Sequence, residues 1–79
     1  MKIYHGRWDD SSKEFIAECA DEKEVNRVIY NYIPEKYKYG YLKWTDDRKE
    51  HGQYIVDYGS WSDFIFVTEL NNEMKHMFN

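Results

Sequence analysis

The segment Asp21 to Ile33 is the one long stretch of the chain with helical periodicity. Val25, Val28, Ile29 and Tyr32 recur at i, i+3, i+4 and i+7, so one stripe is apolar, while Lys23, Asn26, Arg27 and Tyr30 lie away from it. Asp21 and Glu24 have the D-x-x-E spacing of a capping box, and Asp21, Glu22 and Glu24 put negative charge where the helix dipole favours it. The only proline, Pro34, ends the segment, because the residue before a proline is pushed out of the helical region. A helix with a single apolar stripe has to cover a surface. The segments on either side of it alternate with a period of two, so that surface is a sheet.

Lys2 to Trp8 reads as a first strand, with Tyr4, Gly6 and Trp8 on one side and Ile3, His5 and Arg7 on the other. Asp9-Asp10-Ser11-Ser12 is turn chemistry. Glu14 to Ala20 returns as a second strand with Phe15, Ala17 and Cys19 on one face. After the helix, a third strand is expected from about Tyr37 to Trp44. Its alternation puts Tyr37, Tyr39, Tyr41 and Lys43 on one face and Leu42 and Trp44 on the core side. Thr45 to Gly52 is charged without an apolar anchor and reads as a solvated loop. Gln53 to Leu70 holds two runs rich in β-branched and aromatic residues around Gly59-Ser60-Trp61-Ser62, the pattern of a β-hairpin. Leu70, Met74, Met77 and Phe78 fall at helical spacing and suggest a short C-terminal helix, or a tail that docks or frays.

The expected order is β-β-α-β-β-β, an α+β fold with one helix (about 21–33) on one face of a largely antiparallel sheet, filling residues 1–79 as a single domain. Second and third strands then run the same way. The loops gather at two ends, bringing Asp9, Asp10 and Asp63 to one and Asp21, Glu22, Asp46, Asp47 and Glu50 to the other. At 79 residues such a domain buries only about 60% of its unfolded surface. Cys19 is the sole cysteine, so no intramolecular disulfide reinforces it, and a reducing, cytoplasmic setting is expected. No apolar run is long enough to span a bilayer, and the first residues turn polar too soon for a signal peptide, so no membrane is expected as a partner.

Charge and aromatic content narrow the function classes. Fifteen acidic against eleven basic residues give a net charge of −4 without a basic stripe, which argues against direct nucleic-acid binding and for a partner protein with a basic surface. Eight tyrosines and three tryptophans exceed what a core of this size hides, and both residue types are enriched at interfaces. The expected contact residues are Tyr37, Tyr39 and Tyr41 on the open sheet face, the loop acids Asp9, Asp10, Asp46, Asp47 and Glu50, and Trp61. Trp61 sits where turns ordinarily carry small polar residues, and it is either an exposed anchor or folds back over the sheet edge beside Trp8. His5, His51 and His76 read as surface histidines and form no metal-binding pattern, Cys19 lies on a core face, and Asp57 lacks a second catalytic group in register. No phosphate-binding glycine loop is present. No catalytic residue, metal or cofactor is expected.

The segment Asp57-Tyr58-Gly59-Ser60-Trp61-Ser62-Asp63-Phe64, about a tenth of the chain, resembles the D-[FY]-G-S turn and aromatic strand near the ends of many short bacteriophage accessory proteins. In size, acidity and aromatic content the chain is also similar to small phage inhibitors of host defence, such as anti-CRISPR proteins and the uracil-DNA glycosylase inhibitor. The resemblance implies a non-enzymatic protein that blocks a host nucleic-acid-handling protein by contact in the host cytoplasm. It transfers no functional residue. The alternatives are a structural or regulatory homo-oligomer, a homodimer being the simplest, and a small enzyme that uses Asp57.

Overall fold

The computed structural model describes residues 1–8, 12–38 and 40–68. Five strands form one sheet: β1 (Lys2–Arg7), β2 (Glu14–Glu18), β3 (Lys43–Asp47), β4 (Gln53–Asp57) and β5 (Asp63–Thr68). Every neighbouring pair is antiparallel, in the order β2-β1-β5-β4-β3. The expected α+β architecture is present, with β3, β4 and β5 as a meander. β2 and β3 run the same way but occupy opposite edges, and the helix α1 (Glu22–Tyr32) is the element that carries the chain between them.

Both ends of α1 follow from local chemistry. Asp21 is extended (φ −147°, ψ 173°) and its Oδ1 accepts the Glu24 N–H at 2.9 Å. Glu24 reaches back to accept the Ala20 N–H at 3.0 Å, one residue before the usual capping-box partner. At the other end Ile33 still donates to the Ile29 carbonyl at 3.0 Å, then turns extended ahead of Pro34.

The apolar stripe of α1 closes over one sheet face. Val25, Ile29 and Ile33 pack with Ile3, Cys19, Tyr54, Val56, Tyr58, Ile65 and Val67 in one buried cluster, with Leu42 and Trp44 half-buried against it on the core side, as their alternation requires. Each such aliphatic side chain contributes about 1.5–3 kcal/mol through burial. Burial also pushes the Cys19 thiol above its ordinary pKa, which suits a packing role.

Four local expectations need correction. The third strand begins at Lys43, not near Tyr37, because Pro34 leads into a 3-10 turn over Glu35–Tyr37, closed by Tyr37 N–H to Pro34 O (2.9 Å) and Lys38 N–H to Glu35 O (3.1 Å). Thr45–Gly52 is not a loop, since Thr45 to Asp47 complete β3 and Arg48–His51 form a single helical turn, α2. In β2 the register steps from Ile3↔Ala17 to Tyr4↔Phe15, a bulge at Ile16 that breaks strict alternation. Phe15 therefore lies beside Tyr4, ring to ring at 5.6 Å, while Cys19 is buried under the helix. His5 is not a surface histidine, being held between two tyrosines. The C-terminal helix expected from Leu70 to Phe78 falls outside the described residues.

Candidate binding surface

The face turned away from α1 carries the alternate residues of the same strands: Tyr4 and Gly6 of β1, Phe15 of β2, Thr45 of β3, Ile55 and Asp57 of β4, and Phe64 and Phe66 of β5. Ile55 and Phe66 are 4% and 1% exposed, although neither belongs to the cluster beneath the helix. Phe66 is covered by Lys13, whose ammonium lies 4.6 Å above the ring centroid. Gly6 makes room for that crossing, because a Cβ there would meet Lys13 Cγ at 3.0 Å.

Past the Lys13 crossing the face is open. Trp8, 61% exposed, stands edge-to-face against Phe64 at 6.0 Å between centroids. It borders two clefts. One, of about 330 Å³, is lined by Trp8, Phe64, Ile55, Thr45, Asp57 and Lys43. The other, of about 220 Å³, lies toward Lys13, Asp47, His51, Gln53 and Phe66. Asp57 accepts the Gly59 N–H at 2.9 Å through Oδ1, and Gly59 (φ 108°) makes the turn that a side chain would strain.

Trp61 is 98% exposed at the tip of the β4–β5 turn, so it does not fold back beside Trp8. The register explains its neighbourhood. Arg7 pairs with Asp63 and Lys43 with Asp57, which brings Trp8, the turn bearing Trp61 and the segment just before β3 to the same end of the sheet. Tyr41 of that segment is 96% exposed. Tyr37 is not on a sheet face; its ring packs edge-on against Tyr58 at 5.1 Å, with Lys36 above it. Tyr39, Asp9 and Asp10 lie outside the described residues.

The remaining expected contact acids sit at the far end of the sheet, where Asp47 pairs with Gln53. Asp46 grips Arg48 through both oxygens (3.0 and 2.8 Å), which holds its carboxyl below the usual pKa. Asp47 accepts from His51 Nδ1 (2.8 Å) and Gln53 (3.0 Å). Asp47, Glu50 and His51 bring ligand-type atoms within 4.8 Å of one another, the group of this kind among the described residues, on an exposed corner. Asp21 and Glu22 follow β2, whereas Asp46 and Asp47 end β3 and Glu50 lies in α2. The strand order therefore separates them by the width of the sheet, roughly 19 Å at about 4.8 Å per strand.

Sequence reasoning missed a polar chain that ties the helix to the sheet. The Tyr32 hydroxyl donates to Glu14 Oε2 at 3.0 Å, so its oxygen accepts from His5 Nδ1–H at 3.0 Å. That assigns His5 Nε2 as acceptor of the Tyr58 hydroxyl at 2.8 Å. Burial, then the hydrogen bond to Glu14, push the Tyr32 hydroxyl up to about 12, and burial also raises Tyr58. None of the four lines either open-face cleft. The signal available was His5 alternating with Ile3 on the inward face. The signal for the clefts was Phe64 alternating with Phe66.

Among the described residues no helix is long and apolar enough to cross a membrane. Set against known proteins, the chain matches no family model, no curated protein and no solved structure.

Proposed function

We propose that this is a non-enzymatic binding protein that acts in the cytoplasm by docking onto a partner protein with a basic surface. The observation that carries the reading is the gathering of Trp61, Tyr41 and Trp8, all exposed, at one end of the sheet beside an aromatic cleft. Solvent exposure of three large aromatics has no packing benefit in a chain this small, whereas buried Trp and Tyr anchors dominate binding energy at interfaces. The net charge of −4 speeds encounter with a cationic surface. The phage-inhibitor resemblance makes a host nucleic-acid-handling protein the first partner to try, with inhibition by occupancy as the outcome.

The test is capture of partners from host lysate on the tagged protein, repeated with Trp61→Ala and Trp8→Ala. Trp61→Ala should leave the melting temperature nearly unchanged, since its side chain touches solvent, yet weaken partner binding by about 2 kcal/mol or more if it is an anchor. Capture that is specific, salt-sensitive and lost in both variants supports the reading. Full retention of the captured protein by both variants removes this surface from consideration.

A further inference from the structure

The 330 Å³ cleft contains a carboxylate with no cation paired to it among the described residues. Asp57 uses Oδ1 for the Gly59 N–H, which leaves Oδ2 to accept from a ligand, and its side chain lines the cleft together with Trp8, Phe64 and Ile55. Lys43 stands directly opposite Asp57 in the β3–β4 register, yet it is not among the ion pairs of the described residues.

The molecule already contains an occupied version of this arrangement. At the other end of the same two strands, on the helix side, Arg48 lies 4.9 Å above the Tyr54 ring while its Nε and Nη2 bond Asp46 Oδ1 and Oδ2. Ring and carboxylate together hold a planar guanidinium, one by its face and the other by its edge. The open cleft offers the ring and the carboxylate without the arginine.

We infer that the cleft between Trp8, Phe64 and Asp57 is a receptor for one arginine side chain of the partner. The inference rests on the binding-protein reading and names the chemistry its surface recognises. The guanidinium enters along Trp8 and bonds Asp57 Oδ2, and its methylenes lie on Ile55 and Phe64. Lys43, an exposed side chain on the outermost strand, is the one cation lining the cleft among the described residues and opposes entry. This placement makes opposite predictions for the two charged residues, which an apolar or anion-binding cleft does not share.

The probes are N-acetyl-arginine amide, N-acetyl-leucine amide and N-acetyl-glutamate amide. The readout is the NMR shift of the Trp8 indole N–H and of the Gly59 backbone N–H. The arginine amide should produce a saturable shift at both positions in the millimolar range. Asp57→Asn keeps the acceptor for Gly59 and so preserves the turn; it should weaken the arginine probe roughly 3- to 10-fold. Lys43→Met should tighten it about 2- to 5-fold by removing a like charge. Equal shifts from the leucine amide, tighter binding of the glutamate amide, weaker arginine binding in Lys43→Met, or no saturable shift from arginine would each overturn the inference. If these fail while Trp61→Ala still abolishes partner capture, only the arginine receptor falls and the binding-protein reading stands.

Discussion

The face under α1 and the face turned away from it are alternate residues of the same five strands, and they have been closed in different ways. Under the helix, Ile3, Tyr54, Val56, Ile65 and Val67 meet Val25 and Ile29, and the interlocked side chains exclude water. On the opposite face, Lys13 lies across Phe66 and Trp8 borders two clefts. Aliphatic residues against a helix make a core, while aromatics with one polar neighbour each make a surface that can be both wet and adhesive. The contrast explains how a chain of 79 residues can present so many aromatic rings and still fold: its stability is concentrated on one side.

The largest effect that would sharpen this contrast comes from Ile29, fully buried at the centre of the helix stripe. Ile29→Ala should cost about 2–5 kcal/mol in urea unfolding, through lost burial and the cavity left behind. Trp8→Ala, on the open face, should cost far less; equal losses from the two would show that both faces are core. Gly6→Ala comes next. Its methyl would press on Lys13 Cγ from 3.0 Å and lift the lysine from Phe66, at a cost of about 1–3 kcal/mol. Binding of an apolar dye should rise in that variant, and unchanged dye binding would mean that something other than Lys13 seals Phe66.

The smallest effect concerns the polar chain at the rim of the helix face. Tyr32 ionises at about 12 in the folded protein against an ordinary value of 10.0. Between those values the folded state holds a proton that the unfolded state has lost. This contribution to stability is complete below about pH 10 and declines as pH rises toward 12. Tyr32→Phe should flatten part of that alkaline decline, and at neutral pH should cost about 0.5–1.5 kcal/mol for the lost hydrogen bonds. Tyr58 shifts in the same direction, so some decline remains. An alkaline profile identical to that of the unaltered protein would place Tyr32 in water rather than against Glu14 and His5.

Much of the architecture is legible in the sequence alone. The helix limits were written in Asp21, Glu24 and Pro34, because caps and proline act within one turn of the chain. The last hairpin was written in the β-branched runs around Gly59 to Ser62. Other readings failed where a local pattern was ambiguous. Tyr37, Tyr39 and Tyr41 alternate as a strand would, but Pro34 with Glu35 to Lys38 forms i to i+3 bonds instead, and a pattern of period two has no way to register that competition. The bulge at Ile16 was invisible because an inserted residue leaves the composition of a strand unchanged.

What the sequence determined by itself, then, is α1 with its two ends and inward stripe and the last hairpin, since these depend on residues a few positions apart. Strand order, the pairing of Lys43 with Asp57, the gathering of Trp8, Tyr41 and Trp61 at one end, and the joining of His5 to Tyr32 and Tyr58 were decided only by tertiary structure. Those contacts link residues from 14 to 53 positions apart. Which of them form depends on how the two edges of the sheet are brought around the helix, and alternation along one strand carries no information about its neighbour.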